Sequence, residues 1–146
     1  MIYVLYGQPG SGKTTLSKLL AEYLDTPHII DGDNLRDLFI NHDYSREGRK
    51  LNIMRANTIA TFLSKTRDIP VILALVNPYQ DLREDLMLHN KYVQTILLTS
   101  TRDLRKEYHV KDFEIGNPHI CINTDRNIND TFISLKYQLD KTPSYP

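Results

Sequence analysis

The chain has 146 residues, and 18 lysines and arginines are balanced by 18 aspartates and glutamates, so its formal net charge is zero. That balance argues against a membrane surface or a nucleic acid as partner, and no apolar run approaches the roughly 18 residues of a membrane-spanning helix. Cys121 is the only cysteine, so no internal disulfide can form, which favours a reducing compartment. We expect Cys121 to be a small core residue. We further expect a cytoplasmic protein without a signal peptide, a single domain over residues 1–146 with a loose tail at 141–146.

The first predicted elements are an apolar strand at Ile2–Leu5, the stretch Gly7-Gln8-Pro9-Gly10-Ser11-Gly12-Lys13-Thr14, and an amphipathic helix that continues from Thr15. Strand, glycine-rich turn and helix follow one another as in a phosphate-binding loop, so we assign residues 7–15 to ATP binding. Glycines let main-chain N–H groups point at phosphate oxygens, and the helix N-terminus adds positive charge. We expect Lys13 to reach the β- and γ-phosphates and the Thr14 hydroxyl to ligate Mg²⁺. The alternative is a glycine turn that merely starts a helix, and the flanking elements make that accident rare.

The rest of the chain alternates between strands and helices. A second strand is predicted at Pro27–Ile30, followed by a short helix at Leu35–Ile40 with Asp33 or Asn34 as its cap. A long helix then starts with Ser45 as its cap. The later predicted elements are strand Pro70–Val76, helix Leu82–Leu88, strand Val93–Leu98, a charged helical stretch Arg102–Tyr108, strand Ile120–Asn123 and helix Asn129–Leu139.

Five strands that alternate with helices predict an α/β fold, here the three-layer P-loop NTPase/kinase fold with a five-stranded parallel sheet and right-handed crossovers. Pro70–Val76 is nearly all apolar, as expected of a central strand. Ligands of such sheets bind at the carboxyl ends of the strands. The stretches expected to meet there are Gly7–Thr14, Asp31–Arg36, Asn77–Arg83 and Thr99–Lys106.

A pair of acids follows the second strand, in Asp31-Gly32-Asp33-Asn34-Leu35-Arg36. Both carboxylates are expected to face the γ-phosphate held by the first loop. Asp33 could accept a proton from an attacking hydroxyl, or orient that hydroxyl and hold a Mg²⁺-bound water. Asp31 could serve the outer shell of the metal or polarise Asp33, and Arg36 could hold an anionic acceptor. The alternative is an aspartate-rich turn that only caps a helix.

Two further clusters carry positive charge. Arg46, Arg49, Asn52 and Arg55 recur every three residues and form one helix face, which suits a phosphate or sulfate plus a base edge, with Tyr44 stacked on a base; a solvated helix face is an equally good interpretation. After the fourth strand, Arg102 and Arg105 are candidate catalytic residues and Lys106 a substrate-binding one, because they could stabilise charge on the transferring phosphoryl group. They could equally form an ordinary helix neutralised by Asp103 and Glu107.

The order and spacing of these motifs resemble the adenylylsulfate kinase family over about the first 85 residues, and Asn123-Thr124-Asp125 resembles the family's last strand and turn. The resemblance implies a phosphotransferase of sulfate assimilation that moves the ATP γ-phosphate to the 3′-hydroxyl of adenosine 5′-phosphosulfate, giving 3′-phosphoadenylyl sulfate. It implies ATP and Mg²⁺ as cofactors and a homodimer as one possible assembly.

By this resemblance, Asp33 matches the carboxylate near the 3′-hydroxyl and the metal, and Asp31 matches its partner. The remaining matched positions lie on the acceptor side: Arg36, Arg49 and Asn52 as binding residues, Tyr44 as the aromatic on the acceptor's adenine, Pro78 and Tyr79 as the turn that shapes the pocket, and Arg83 behind it.

The sequence departs from the family in two places. Gln8-Pro9 stands where the family usually has a Leu-Ser pair, and a Pro-Gly-Ser-Gly-Lys loop also occurs in polynucleotide and other small-molecule kinases. The family's longer, lysine-rich lid is reduced to Arg102–Tyr108, so a more open acceptor pocket is expected. A kinase for another nucleotide conjugate or a nucleic-acid 5′-hydroxyl is therefore the main alternative. A nucleotide-dependent switch or binding module is the alternative from another class, although no Asp-x-x-Gly follows the third strand.

Overall fold

The computed structural model describes residues 1–102 and 104–142. Its elements are β1 (Ile2–Tyr6), α1 (Lys13–Leu24), β2 (Ile29–Asp31), α2 (Gly32–Phe39), α3 (Arg46–Thr66), β3 (Val71–Leu75), α4 (Gln80–His89), β4 (Val93–Thr99), a 3₁₀ turn (Lys106–Tyr108), β5 (Ile120–Asn123) and α5 (Ile128–Lys141). All five predicted strands are confirmed.

The five strands form one parallel sheet in the order β2-β3-β1-β4-β5, which confirms the predicted α/β architecture. All residues of β3 are buried, as expected of an interior strand that must pack on both faces. Because β3 lies between β1 and β2, its carboxyl end separates the glycine-rich loop from the pair of acids. Groups that follow three strands therefore meet at the carboxyl ends of the sheet strands.

Helices cover both faces of the sheet and give two cores. On one face, α3 and α4 contribute Ile53, Ala56, Ala60 and Leu86 to a cluster that includes Val71, Leu73 and Leu75 of β3. On the other face, α1 and α5 contribute Leu16, Leu20 and Leu135, which pack with Leu5, Ile96 and Ile122. The 3.6-residue periodicity of the helices thus directs one apolar stripe of each helix toward the sheet.

The cap of α3 is confirmed and that of α2 is corrected. The Ser45 side chain accepts a hydrogen bond from the Gly48 N–H, as predicted for the first residue before α3. Helix α2 begins at Gly32, earlier than predicted, and Asp31 is its cap rather than Asp33 or Asn34. The reason is geometric, because the Asp31 backbone is still extended at the end of β2 while its side chain can reach the next N–H groups.

The segment after β4 differs from the predicted charged helix. Among its described residues, Lys106–Tyr108 forms a 3₁₀ turn, and Arg105 before it has a left-handed backbone with φ of 53°. A left-handed residue interrupts an α-helix, so no α-helix runs through residues 104–108. Asp103, a proposed neutralising partner, lies outside the described residues.

Two other predictions concern Cys121 and the tail. Cys121 is exposed, so its assignment to the core is wrong. The strand β5 is at the edge of the sheet and alternates between buried and exposed residues, with Ile120 and Ile122 facing the core. At the C-terminal end, Lys141 is the last residue of α5, and positions 143–146 of the predicted loose tail lie outside the described residues.

None of the helices within residues 1–102 and 104–142 combines the length and the apolar character that crossing a bilayer requires.

We predict that Leu73→Ala lowers the free energy of unfolding by about 2–5 kcal/mol, because Leu73 is fully buried in β3 and its truncation leaves a cavity. Urea denaturation measures the loss. Leu88→Ala is the matched control, since Leu88 is 83% exposed on α4 and the same truncation should change the free energy by less than about 0.5 kcal/mol. Equal effects of the two variants would contradict the assigned core.

Candidate active site

A cleft of about 1290 Å³ runs along the carboxyl ends of the strands. Its walls come from the loop after β1, the start of α2, the first turns of α3, the residues after β3, the segment after β4 and the turn after β5. All four stretches that were expected to meet at this edge contribute residues to it. The cleft is therefore the candidate site for the chemistry that the sequence predicts.

The loop after β1 has the shape of a phosphate-binding loop. Gly10 and Gly12 have φ angles of 84° and 95°, which a residue with a side chain rarely adopts. A Cβ at Gly7 would lie 2.5 Å from the Leu98 carbonyl oxygen, and one at Gly10 would lie 2.7 Å from the Leu104 carbonyl oxygen. The loop thus lies too close to β4 and to the segment after it for side chains at these positions.

Lys13 is the first residue of α1, and its side chain folds back onto the glycine-rich loop. Its ammonium group donates to the main-chain carbonyls of Gly7 and Gln8, each at 2.9 Å, and to the Ser11 hydroxyl at 3.3 Å. These bonds hold the ammonium group at the centre of the curled backbone. A phosphate in the loop would meet both the positive charge and the N-terminus of α1.

The electrostatic surroundings of Lys13 are mixed. Burial lowers its pKa to about 8, the carboxylates of Asp33 and Asp31 oppose this shift, and the Arg105 guanidinium adds to it. The charge of Lys13 thus depends on the two acids that face it. Because the pKa lies near neutral pH, a bound polyanion would favour the protonated form.

Asp31 connects the glycine-rich loop to the second acidic residue. One carboxylate oxygen accepts from the N–H groups of Asp33 at 3.0 Å and Asn34 at 3.2 Å, which caps α2. The other accepts from the Thr14 hydroxyl at 3.3 Å. Asp33 is exposed in the first turn of α2 and lines the cleft. The expected meeting of the acids with Lys13 and Thr14 is therefore present in the structure.

Arg36 organises the loop between α2 and α3. It is 7% exposed, and its Nη1 donates to the carbonyls of Asn41 at 3.1 Å and Asp43 at 2.9 Å. Its guanidinium carbon lies 4.0 Å from the centre of the Tyr44 ring, and Tyr44 is 61% exposed. Arg36 and Tyr44 both line the cleft, where the arginine supports the aromatic ring.

The arginines at the start of α3 are held by an acid from the segment after β4. Arg46 forms a 2.6 Å ion pair with Asp112, and Arg49 lies 3.6 Å from the same carboxylate. Arg49 also donates to the Tyr79 hydroxyl at 3.0 Å. Tyr79 itself is fully buried and does not line the cleft. Of the predicted helix face, Arg49 and Asn52 line the cleft, whereas Arg46 and Arg55 do not.

Two buried amides line the cleft beside these arginines. Asn52 is 5% exposed, its Nδ2 donates to the Gly32 carbonyl at 3.3 Å, and its Oδ1 has no partner among the described residues. Asn77, directly after β3, is 1% exposed, and neither side-chain atom has a partner in the described part of the chain. Pro78 follows it and also lines the cleft.

Gln8 fastens the segment after β4 to the glycine-rich loop. Its side-chain Nε2 donates to the Val110 carbonyl at 2.9 Å, and the Val110 N–H donates to its Oε1 at 2.8 Å. The ring Nε2 of His109 lies 3.1 Å from the Pro9 carbonyl oxygen. The two positions that depart from the family pattern therefore have a structural role in this chain.

Arg102, in the segment after β4, contacts the turn after β5. Its guanidinium donates to the Thr124 carbonyl and, at 3.0 Å, to the Thr124 hydroxyl. That hydroxyl donates to the Ser11 carbonyl at 2.7 Å, so the turn is tied to the glycine-rich loop. Arg105 lines the cleft as well, whereas Lys106 lies on the 3₁₀ turn and is not part of the lining.

The cleft lining includes most of the predicted site residues. From the ATP and metal set these are Pro9, Gly10, Gly12, Lys13, Thr14, Thr15, Asp31 and Asp33, and from the others Arg36, Tyr44, Arg49, Asn52, Pro78, Arg102 and Arg105. Gly7, Gln8, Ser11, Tyr79 and Lys106 lie outside the lining. Asn77 and Thr124 were not assigned roles from the sequence, although each directly follows a predicted strand.

The donors present fit a Mg²⁺ ion that is shared with phosphates. Among the described residues, no group of three or more His, Cys, Asp or Glu side chains could hold a metal by itself. Mg²⁺ is usually bound through one or two carboxylates together with substrate phosphates and water. The Thr14 hydroxyl and the carboxylates of Asp31 and Asp33 are oxygen donors of this kind at the same end of the cleft.

Comparison with known proteins gives both a family and a fold. The family model of adenylylsulphate kinase matches residues 1–111. The APS kinase of Mycobacterium tuberculosis in complex with AMPPNP and APS superposes with a TM-score of 0.80 at 19% identity, over 95% of this chain and 96% of that chain. The hexameric APS kinase of Thiobacillus denitrificans superposes with a TM-score of 0.72 at 21% identity, over 99% of this chain and 29% of that chain. At these identities the likeness shows the fold.

A shorter match links the chain to another kinase family. A stretch of 37 residues is 54% identical to the adenylate kinase of Methanocella arvoryzae, and it spans 25% of this chain but only 17% of that enzyme. The match therefore indicates a shared local motif. Because the family model covers 111 of the 146 residues, this protein belongs to the adenylylsulphate kinase family of P-loop kinases.

Proposed function

We propose that the protein is an ATP- and Mg²⁺-dependent kinase that transfers the γ-phosphate to the 3′-hydroxyl of adenosine 5′-phosphosulfate. One contact supports this function above all, the 3.3 Å hydrogen bond from the Thr14 hydroxyl to Asp31. Asp31 also caps the helix that carries Asp33, so hydrogen bonds connect the phosphate loop to the acid pair. Phosphoryl transfer depends on such positioning and on charge stabilisation.

The proposed reaction is an in-line displacement. The acceptor hydroxyl oxygen forms a bond with the γ-phosphorus while the bond from that phosphorus to the bridging oxygen of ADP breaks. Asp33 takes the hydroxyl proton, and the positive charges of Lys13 and Arg105 balance the charge on the phosphoryl group. Mg²⁺, held by Thr14 and Asp33 when bound, would supply further charge neutralisation. A nucleophilic side chain is not required.

The acceptor side of the cleft suits a nucleotide that carries an anionic group. Tyr44, supported by Arg36, offers an exposed ring on which an adenine can stack. Arg49 can meet a phosphosulfate, because its contact with Asp112 is a loose one of 3.6 Å. Asn52 and Pro78 complete this side. In this proposal Tyr79 does not contact the acceptor, and its hydroxyl positions the Arg49 guanidinium through a hydrogen bond.

Release of ADP across a panel of acceptors tests the proposed function. The panel contains adenosine 5′-phosphosulfate, other nucleotides and an oligonucleotide with a free 5′-hydroxyl. We expect turnover with adenosine 5′-phosphosulfate and formation of its 3′-phosphorylated product. Turnover with another panel member alone would replace the assigned acceptor, and hydrolysis that is independent of any acceptor would favour a nucleotide-dependent switch.

We predict that Asp33→Asn reduces the turnover number by about 10²–10⁴-fold while nucleotide affinity stays within about threefold, because the amide cannot take the proton. Steady-state kinetics and titration with a non-hydrolysable ATP analogue measure the two effects. Asp81→Asn is the matched control, an exposed acid in the first turn of α4, outside the cleft lining. An Asp33→Asn variant with normal turnover would remove the assigned proton acceptor.

We also predict that Lys13 takes up a proton when nucleotide binds at pH 9. At pH 7, nucleotide binding should cause little proton uptake by Lys13. At pH 9 most of the free protein carries a neutral Lys13, because its pKa is about 8, and the triphosphate charge raises that pKa on binding. At pH 7 the lysine is already charged. Calorimetry in buffers of different ionisation enthalpy counts the protons. Lys13→Arg, with a fixed positive charge, should show no uptake at pH 9, and a wild-type protein without uptake at pH 9 would contradict the assignment.

A further inference from the structure

The side chain of Asn77 is buried at the cleft without a hydrogen-bond partner. Asn77 is 1% exposed and lines the cleft, and both its Oδ1 and its Nδ2 are unpaired within the described residues. Its main-chain carbonyl, in contrast, accepts from the Arg83 guanidinium at 2.6 Å. Buried amides in folded proteins nearly always have partners, so an unpaired one at a binding cleft indicates a ligand group.

Asn77 lies where the two halves of the cleft meet. It follows β3, which separates the strand before the phosphate loop from the strand before the acid pair. The residue before it, Val76, accepts from the Gly7 N–H at 3.2 Å. On the other side, Gly32 packs so closely on Leu75 that a Cβ there would lie 3.3 Å from the leucine Cγ. A group beside Asn77 is therefore near both the glycine-rich loop and the start of α2.

Asn52 provides a second buried amide at the same cleft. Asn52 also lines the cleft, with its Oδ1 unpaired in the described part of the chain and its Nδ2 held by the Gly32 carbonyl at 3.3 Å. Carboxamides are neutral, and they both donate and accept hydrogen bonds, as a hydroxyl group does. Positive charge for an anion comes instead from Arg49, which also lines the cleft. The amides are thus suited to the uncharged, hydroxyl-bearing part of the acceptor.

The backbone at Asn77 offers a simpler reason for asparagine. Its φ angle is 49°, in the left-handed region where asparagine is several-fold enriched. This conformation would, however, be met at least as well by glycine, which leaves the buried carboxamide unexplained. The two reasons make different predictions for a glycine variant.

We propose that Asn77, together with Asn52, binds the hydroxyl group next to the reacting hydroxyl on the acceptor's sugar and thereby selects a ribose acceptor. This inference rests on the proposed function, under which the reacting group is the 3′-hydroxyl and the recognised group is the 2′-hydroxyl. A site built to hydrogen-bond a hydroxyl rejects the analogue that lacks it, because the buried polar groups are then left without partners. Asn77 is thus a specificity-determining residue of the acceptor site.

Asn77→Gly tests the proposal, because glycine readily adopts the left-handed backbone and has no side-chain amide. Calorimetric binding of adenosine 5′-phosphosulfate in the presence of a non-hydrolysable ATP analogue should weaken by about 10- to 100-fold. Affinity for the ATP analogue alone should stay within about twofold, and the melting temperature should not fall. The control Asn57→Ala removes a buried amide with an equally unpaired Oδ1 outside the cleft, and should leave acceptor affinity unchanged.

The 2′-deoxy form of the acceptor separates the possible outcomes. The wild type should bind it at least about tenfold more weakly than the ribose form, and Asn77→Gly should bind the two forms equally. Unchanged acceptor affinity in Asn77→Gly, a preserved preference for the ribose form, or an equal loss of affinity for the ATP analogue would each overturn the inference. If the wild type binds neither form, the proposed function fails instead, and the same pair of ribose and deoxyribose ligands is then taken from the acceptor that the panel identifies.

Discussion

Asp31 is the residue on which the geometry of the cleft depends. One of its oxygens caps α2 through the N–H groups of Asp33 and Asn34, and the other accepts from the Thr14 hydroxyl. These bonds join two elements that are not neighbours in the sheet, because β3 lies between β1 and β2. The Asp31 side chain therefore adds a direct link between the phosphate loop and the start of α2 to the indirect link through the ladders of β3.

The charges around this bridge are balanced locally in a chain whose net charge is zero. Lys13 is buried against the loop carbonyls. Its positive charge is repelled by the Arg105 guanidinium and attracted by the carboxylates of Asp31 and Asp33. A triphosphate would add negative charge beside the lysine and the arginine, and would thereby satisfy the positive end of α1 as well. The attraction for anions is thus a property of the cleft and cannot be read from the composition.

Local signals in the sequence were sufficient for most of the fold. Apolar runs located all five strands, and Ser45 was recognised as a cap because its side chain can reach the third N–H of the following helix. The predictions fail where the structure of a residue depends on contacts that are distant in the sequence. The sequence between Asp31 and Asn34 offers three capping residues, and the choice depends on where β2 ends. The exposure of Cys121 depends on β5 being an edge strand, which a pattern of four residues does not reveal.

The candidate site also divides into residues that local motifs identify and residues whose role depends on distant contacts. The phosphate loop and the acid pair are short motifs whose residue types carry their chemistry, so both could be assigned from the sequence. Thr124 acquires its role only through hydrogen bonds to Ser11, more than a hundred positions earlier, and to Arg102. The unpaired amide of Asn77 is likewise a property of its surroundings, since asparagine before proline is an ordinary turn signal.

The segment after β4 is held against the glycine-rich loop by hydrogen bonds. Gln8 pairs with both the N–H and the carbonyl of Val110, which fixes the orientation of that residue as well as its distance from the loop. Farther along, Arg83 donates to the Glu114 carbonyl at 2.6 Å, and the Tyr6 hydroxyl donates to the Ile115 carbonyl at 2.7 Å. The part of the segment from Val110 to Ile115 is therefore anchored at both ends. Before Val110, the Arg105 guanidinium lines the cleft and lowers the pKa of Lys13 through its positive charge.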